Sequence, residues 1–511
     1  MKRLALACLV FMLPLSMTTF YFPALSRAEG ITGWEVAKEL TGSAYEGRQT
    51  GTPGYVKAVD YMESVMRQKG LEPVGAPDYR HAYTTEYAEW LSESVIADGD
   101  KWEPMKDYMP FSRLPGGNFA VQELDYVGSG QEDDYARFRK GAAAVFRYTT
   151  NAGDALRGVL DRIQVAAKHG AKAVFIIADG ELKVGNYEHP LRNQVLDIPA
   201  VYITPEVAAQ LGVDPSSFTP SRLPSKKIEM KFEIERGNAV GYNLVGKLRG
   251  TKGTRSILIV SNLDGFGKLP DGRIYETAKG SAVAIGLMTD LMDYYQTHRP
   301  EYNIIFAMVG SKWTSNEGIR DLIRKINWGT IAYTFDLYAL GGKGEFFVTY
   351  TDDRQKELAL RLSKQAFLNP GDFGNAFSAE LSRETARLFL VRDDDTWIDD
   401  SLTDRFANVD ANNYRKNLEK LKSMIDETIR YDIARTPDYN SVGTAYLDVI
   451  RKSVNRMETE YFEIYFENEY SGKLTPDFLR SMDEIYERLL KANYYPSVKQ
   501  KIKVYYLKDE Y

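Results

Sequence analysis

Polar and charged side chains lie at or just after the ends of three short apolar runs. They are Asn262 and Asp264 after the run 257–260, Lys312 and Trp313 after 304–307, and Asp336 in the run that begins at 331. Apolar runs of this length are typical of buried parallel strands. Since the carboxyl ends of such strands meet at one edge of a sheet, these side chains are predicted to converge. Carboxylates there could hold a metal or move a proton, and ammonium groups could neutralise them.

The elements that must position these residues are those of an α/β fold. After the strand at 257–260 come a polar turn, a Gly-rich loop and a helix predicted to begin at Lys279. Five residues spaced four or three apart form one helix face that would pack on a sheet: Ser281, Ile285, Met288, Met292 and Tyr295. A buried strand followed by such a helix is an α/β unit, and the pattern recurs twice downstream.

In this order, the segments resemble the zinc aminopeptidase-like family, metallopeptidase family 28, which includes the transferrin-receptor ectodomain. The similarity is carried by the loop Ile-Tyr-Glu-Thr-Ala-Lys-Gly-Ser-Ala at 274–282, by 306–313, by Phe335-Asp336-Leu337, and by the Gly/Pro-punctuated loop at 46–54. The resemblance implies a three-layer α/β peptidase-like domain. It also implies zinc chemistry, for which the family needs a specific set of ligands.

Most of these ligand positions differ in this chain. By the resemblance, Asn262 stands for a histidine ligand, Lys279 (followed by Gly280) for the bridging aspartate, Lys312 for the general-base glutamate and Trp313 for a glutamate ligand. The orienting Asp264 and the ligand Asp336 are retained, and Arg435, before Thr436-Pro437, is the nearest match to the last histidine. Lysine ammonium cannot ligate zinc and repels it, so no metal or other cofactor is expected.

A charge substitution follows as a hypothesis. Lys279 and Lys312 would lie among Asp264 and Asp336, so that ammonium replaces the positive charge of the metal. The leading interpretation is therefore a non-catalytic pseudopeptidase that binds a peptide or a surface protein. The alternative is an active zinc aminopeptidase whose site is rebuilt from other residues.

A metal-free Ser-Lys hydrolase is a third possibility, with Ser281 or Ser311 as nucleophile and Lys279 or Lys312 as base. At Ser281 the helix-capping role is favoured instead. The chain has four histidines, His81, His169, His189 and His298, none of them at a family ligand position. We expect each to be a surface or packed residue.

Composition and the N-terminal segment indicate where the protein acts. The net charge of −6 gives no electrostatic reason to expect nucleic acid. Residues 1–28 resemble a signal peptide, with Lys2 and Arg3 before an apolar stretch and Ser26-Arg27-Ala28 before the cleavage point. The single cysteine, Cys8, lies within it, which suits a bacterial secreted or cell-envelope protein. Membrane attachment is expected only if this segment stays uncleaved.

The resemblance also divides the chain into regions. Residues 29–75 would begin the peptidase-like domain, and 76–240 would be an insertion that contains a β-rich protease-associated (PA)-like domain. Residues 241–440 would complete the α/β domain, and 441–511 would form a helical C-terminal region. Within the last region, helix is predicted over 442–493 and a strand over 502–507.

The acidic run at 393–400 is a candidate calcium site, since carboxylates are calcium ligands. It lacks the glycine and the spaced oxygen ligands of a calcium loop. A solvated acidic loop is therefore predicted.

Overall fold

The computed structural model describes most of the chain, in two compact units divided between residues 423 and 424. The described residues are 31–111, 113–148, 155–179, 182, 195–214, 217–253, 255–351, 353–362, 366–368, 378, 380–382, 387–393, 404–435, 455–466, 470–491 and 501–506. The predicted signal segment and His189 therefore lie outside them.

An eleven-stranded mixed sheet organises the first unit. Its strands are β1 (Glu72–Pro73), β2 (Arg80–Ala97), β3 (Asp100–Trp102), β5 (Gly117–Val121), β11 (Ile228–Leu248), β12 (Ser256–Asn262), β15 (Asn303–Val309), β16 (Ile331–Leu337), β17 (Phe346–Tyr350), β18 (Ala366–Leu368) and β19 (Leu388–Asp393). The order is β18-β17-β19-β16-β12-β15-β11-β2-β3, with β1 and β5 paired to β11.

The centre of this sheet is parallel. Strand β12 runs parallel to β15 on one side and to β16 on the other, and β16 runs parallel to β19. Every residue of β12 and β15 is buried, as expected of parallel strands covered on both faces. The carboxyl ends of β12, β15 and β16 therefore share one edge, as predicted.

The described residues form nine α-helices. They are α1 (Gly33–Leu40), α2 (Pro53–Gln68), α3 (Ala155–Lys168), α4 (Pro205–Gln210), α5 (Val283–Thr297), α6 (Glu317–Lys325), α7 (Asp353–Leu362), α8 (Ala411–Arg435) and α9 (Pro476–Lys491). Ile319 and Leu322 of α6 pack against Leu258, Val260 and Ile305 of the sheet. Helix α5 begins with a π-helical turn, Ala278–Ala282, which contains the predicted start at Lys279.

Helices α1 and α5 approach closely through two glycines. A Cβ on Gly33 would lie 1.9 Å from the carbonyl oxygen of Gly286, and one on Gly286 would lie 2.3 Å from that of Gly33. Neither position has room for a side chain. Helix α1 of the N-terminal segment is thus held against α5, the helix that follows β12 in the chain.

A second sheet lies within the segment predicted as an insertion. Its strands are β4 (Tyr108–Pro110), β6 (Leu124–Tyr126), β7 (Ala143–Arg147), β8 (Ala173–Ile177), β9 (Ala200–Ile203) and β10 (Ser221–Arg222). They take the order β10-β6-β7-β8-β9-β4. The same segment also supplies β2, which pairs along most of its length with β11 of the large sheet. The domain boundaries and the PA-like assignment remain predictions.

The second unit differs in part from the predicted helical region. Strands β20 (Asn455–Glu458), β21 (Phe462–Phe466) and β22 (Ile502–Tyr506) form a three-stranded sheet, beside helix α9. The helix predicted over 442–493 is therefore wrong at β20 and β21, whereas the strand predicted near 502–507 is confirmed. Phe462, Ile464 and Phe466 alternate along β21, and this period-two signal was outweighed by the charged residues around it.

No helix among the described residues is long and apolar enough to cross a membrane.

Candidate functional site

The polar edge lies where β12, β15 and β16 end. Asn262, the last residue of β12, lies opposite Val309 of β15, and Val260 lies opposite Asp336 of β16. The chain then leaves each strand through Leu263-Asp264, through 310–313 and through Tyr338. The structure thus brings together Asn262, Asp264, Lys312 and Asp336.

Lys312 places its ammonium inside this edge. The residue is only 8 % exposed, and its Nζ lies 3.1 Å from the ring centre of Tyr338 and 5.2 Å from that of Trp313. Nζ also donates to Asn262 Oδ1 over 3.5 Å. A cation over an aromatic face is attracted by the ring quadrupole, most strongly when water is excluded. Lys312 is therefore held by an aromatic face and an amide.

Asp264 is fully buried beside this lysine. Its Oδ2 accepts the backbone N–H of Trp313 over 3.3 Å, whereas Oδ1 has no hydrogen bond among the described residues. Burial raises the pKa of Asp264 to about 7, against the opposing effects of the Trp313 N–H and the charges of Lys312 and Arg48. The Asp264 carboxyl therefore keeps its proton to a higher pH than an ordinary aspartate does.

Asp336 is the second buried carboxyl of the edge. Its Oδ2 accepts a hydrogen bond from the Ser378 hydroxyl. Burial raises the pKa of Asp336 to about 6, and the Ser378 hydrogen bond and the Lys312 charge oppose that rise. The charge of Lys312 thus opposes the pKa rise of both buried carboxyls.

The Lys279 ammonium makes no hydrogen bond or ion pair to Asp264 or Asp336, in contrast to the prediction. It makes no hydrogen bond or ion pair with the other described residues either, although the residue is only 8 % exposed. The Lys279 backbone N–H instead donates to Asp404 Oδ1 over 2.7 Å, and the Gly280 N–H donates to Asp404 Oδ2 over 3.2 Å. Since a buried acid here accepts two backbone N–H groups, Asp404 anchors the π-helical turn.

A buried arginine, Arg48, binds the chain segments next to the polar edge. Arg48 donates to the carbonyl oxygens of Leu263 (3.2 Å), Leu40 and Thr277 (3.0 Å), and to Ser281 Oγ (2.8 Å). Burial lowers the pKa of Arg48 to about 10, while the charges of Asp264, Asp404 and Glu276 act in the opposite direction. This guanidinium therefore ties the N-terminal loop to the strand end of β12 and to the start of α5.

Trp313 closes the edge toward the second sheet. Its ring meets Phe266 edge-on at 5.6 Å, and it packs against a cluster that includes Val174 and Ile176 of that sheet. A Cβ on Gly280 would lie 3.5 Å from the Trp313 ring. Trp313, at the position aligned with a glutamate ligand, thus makes apolar packing contacts.

The two serines considered as nucleophiles have other partners. Ser281 Oγ accepts from Arg48 and donates to the carbonyl of Thr277. Ser311 Oγ is hydrogen-bonded to Tyr83 and Thr85. Neither serine is hydrogen-bonded to a lysine among the residues described, so the Ser-Lys hypothesis gains no support.

The residues present at the edge do not fit a zinc ion. Asp264, Asp336 and Asn262 lie at this edge, and the Lys312 ammonium donates to the Asn262 amide and acts electrostatically on both carboxyls. A catalytic zinc site needs at least three neutral nitrogen, thiolate or carboxylate ligands and an open position. In the described ranges, no group of three or more His, Cys, Asp or Glu side chains could hold a metal.

Histidines in the described ranges have structural contacts elsewhere. His81 Nε2 bonds the Val74 carbonyl oxygen, and His169 and His298 stack on Tyr135 and Tyr294. These contacts fit the packed or surface role expected of them.

Two C-terminal expectations fall largely outside the described residues. Arg435 is the last residue of α8, in the other compact unit, and Thr436-Pro437 are not described, so its alignment stays a prediction. Of the acidic run, only Asp393 is described, and it is buried rather than solvated. It accepts from the Gly342 N–H and the Asn417 amide, each over 2.8 Å.

Four residues that contribute to the edge were not predicted from the sequence: Arg48, Tyr338, Ser378 and Asp404. Arg48 lies in the loop that carries the family resemblance, so its position was a usable signal. Tyr338 directly follows Asp336 and Leu337, but an aromatic residue after a strand has no distinctive pattern. Ser378 and Asp404 lie beyond residue 370, where the resemblance fades.

Comparison with known proteins gives the fold. No family model and no curated protein matches the chain. Solved structures do match, each over 78% of this chain: an aminopeptidase from Aneurinibacillus sp. strain AM-1 (TM-score 0.56, 16% identity, 92% of its own chain), a zinc aminopeptidase from Bacillus subtilis (0.57, 15%, 96%) and a peptidase M28 precursor from Shewanella amazonensis SB2B (0.57, 15%, 92%). The predicted aminopeptidase-like α/β fold is therefore confirmed. Identities this low show the fold alone.

Proposed function

We propose that this protein is a non-catalytic member of the aminopeptidase-like fold, in which a lysine replaces the metal charge and the protein binds peptides or a protein partner. The observation that carries the proposal is the position of Lys312. Its ammonium lies against Tyr338 and Asn262 and interacts with the charges of both Asp264 and Asp336. A divalent cation at this edge would meet that ammonium directly.

The chemistry of the edge also disfavours hydrolysis. A metallopeptidase needs a base to take a proton from the attacking water. The position aligned with that base is Lys312, whose protonated form cannot accept a proton. Asp264, with a pKa near 7, could accept one, but it is fully buried.

An activity assay tests the proposal. Purified protein would be incubated with aminoacyl-4-nitroanilides covering apolar, acidic and basic residues, with and without added zinc. We expect no hydrolysis above a heat-inactivated sample. Hydrolysis that rises with zinc and disappears with a chelator would support the alternative, an active zinc aminopeptidase with a rebuilt site. Metal-independent hydrolysis blocked by serine-directed reagents would support the Ser-Lys alternative.

We further propose that the protein is exported. The support is the charged, apolar and small-residue pattern of residues 1–28. N-terminal sequencing of protein from a bacterial host's envelope or medium should begin at Glu29. A start at Met1 in that fraction would show that the segment is retained as an anchor.

A further inference from the structure

A groove separate from the polar edge lies on the first unit. Its cavity is about 340 Å³, within the range of roughly 300–1,000 Å³ typical of small-ligand sites. Its walls are the N-terminal loop, residues 89–92 of β2 and the turn at 268–272. None of the edge residues Asn262, Asp264, Lys312 and Asp336, all of them described, lines this groove.

A β-bulge turns an apolar side chain into the groove wall. Trp90 pairs with Ile234 and Ser92 with the adjacent Glu233, so Leu91 is an extra residue in the ladder. Leu91 is 60 % exposed, the highest value among the large apolar side chains of the described residues. Bulges commonly redirect a side chain beside a binding site. Trp90 and Leu91 therefore give the groove an apolar wall.

The groove is also negatively charged. Glu46 and Glu89 stand on two of its walls, and Glu235 of β11 pairs with Glu89 of β2 in the ladder. The Tyr87 hydroxyl donates to Glu89 Oε2, which fixes that carboxylate. Lys268 also lines the groove, 3.4 Å from Glu46, where both side chains are partly exposed. Two lining carboxylates against one lining ammonium, with Glu235 next to Glu89 on the neighbouring strand, leave a net negative field that favours a cationic ligand.

The wall that carries Glu46 is rigid. Glu46, Gly47 and Arg48 all have left-handed backbone angles, with φ of 49°, 71° and 58°. A Cβ on Gly47 would lie 2.5 Å from the Gly267 carbonyl oxygen, so only glycine fits there. Arg48 anchors the same loop in the core. A preformed wall reduces the entropy lost when a ligand binds.

We propose that this groove binds a short peptide segment in which an apolar residue is next to a lysine or arginine. The apolar side chain lies against Trp90 and Leu91, and the cation lies between Glu89 and Glu46. This inference rests on the proposed function, because it gives the peptide-binding role a location. It places binding outside the polar edge.

Fluorescence anisotropy with the full chain tests the proposal. The ligand is a fluorescein-labelled pentapeptide, Ala-Leu-Arg-Leu-Ala, blocked at both ends so that no aminopeptidase can act on it. Two matched peptides carry glutamate in place of arginine, or serine in place of both leucines. We expect saturable binding of the first peptide and binding at least about tenfold weaker for each of the others.

Variants of the groove locate the site. Leu91→Ala and Glu89→Gln are each expected to weaken binding of the first peptide about fivefold. Val240→Ala is the control, because Val240 is similarly exposed, at 53 %, and does not line the groove. Circular dichroism checks that each variant is folded.

The possible outcomes decide between the two proposals. The groove is ruled out if no peptide binds, if the acidic peptide binds as well as the basic one, or if Leu91→Ala and Glu89→Gln bind like Val240→Ala. Zinc-dependent hydrolysis of unblocked substrates would instead contradict the inactive edge. The blocked peptide cannot report on that hydrolysis, so the two proposals fail separately.

Discussion

The ammonium of Lys312 lies 3.1 Å from the centre of the Tyr338 ring. This contact joins the segment after β15 to the segment after β16, at the polar edge. The charge of the same ammonium opposes the pKa rise of Asp264, which follows β12, and of Asp336, which lies in β16. Lys312 is thus the cation common to both buried carboxyls, and the stability of the edge should depend on it.

Replacing Lys312 should destabilise the protein in a pH-dependent way. Lys312→Met keeps the aliphatic stem but removes the cation common to both buried carboxyls, which typically costs about 3 kcal/mol in the free energy of unfolding. The loss should be smaller near pH 5, because groups with pKa values of about 7 and 6 are then largely protonated. Urea unfolding between pH 5 and pH 8 measures this.

The matched control for that experiment is Lys279→Met. Lys279 has the same 8 % exposure, but it is hydrogen-bonded to Asp404 through its backbone N–H and not through its ammonium. We expect a change below about 1 kcal/mol. Equal losses for the two lysines would show that Lys312 has no special role in charge compensation.

Asp404 should matter through the backbone of the π-helical turn. Asp404→Ala removes the acceptor of two buried N–H groups, each of which costs about 1–3 kcal/mol when left unpaired. Asp404→Asn retains one carbonyl oxygen and should lose roughly half as much. Urea unfolding would measure both variants, and an Asn variant as unstable as the Ala variant would assign the loss to the charge instead.

Arg48→Lys should be strongly destabilising despite keeping the charge. An ammonium cannot reproduce the four hydrogen bonds of Arg48 to Leu40, Leu263, Thr277 and Ser281. We expect a loss of about 2–4 kcal/mol. Arg67→Lys is the control, since Arg67 is 64 % exposed and its side chain pairs with Glu63. Similar thermal midpoints for the two variants would contradict the anchoring role of Arg48.

Glu93 should make stability fall as pH rises. Burial, together with the charge of Asp271, raises the pKa of Glu93 to about 8, above its usual value of 4.5. Between those two pH values the unfolded chain releases this proton and the folded chain keeps it. The free energy of unfolding therefore falls by up to roughly 1.4 kcal/mol per pH unit from this group.

Glu93→Gln should remove this dependence. The variant is expected to match the wild type near pH 4.5 and to exceed it in unfolding free energy at pH 8. Glu229→Gln, about half exposed on the paired strand, is the control and should leave the wild-type slope intact. A variant with an unchanged slope between pH 5 and pH 8 would show that Glu93 ionises normally.

The sequence predicted the edge because its signals are local. Apolar runs that end in Asn262, Asp264 and Asp336 follow directly from strand geometry, and the structure places them together. The predicted role of Lys279 was not found, because a π-helical turn directs its backbone, and not its ammonium, to Asp404. Asp404 and Ser378 reach the edge through long-range packing that no local pattern encodes. The alternating apolar residues Phe462, Ile464 and Phe466 of β21 carried a strand signal that the charged residues around them obscured.

The zinc stoichiometry of the protein tests most directly whether Lys312 takes the place of a metal ion. The purified chain would be equilibrated with excess zinc and desalted, and its zinc content would be measured by elemental analysis. The Lys312→Glu variant would be treated in the same way. We predict well below one zinc per chain for the wild type, because the Lys312 ammonium occupies the edge. A stoichiometry near one in the wild type would contradict the account, and would mean that other residues rebuild a metal site at this edge.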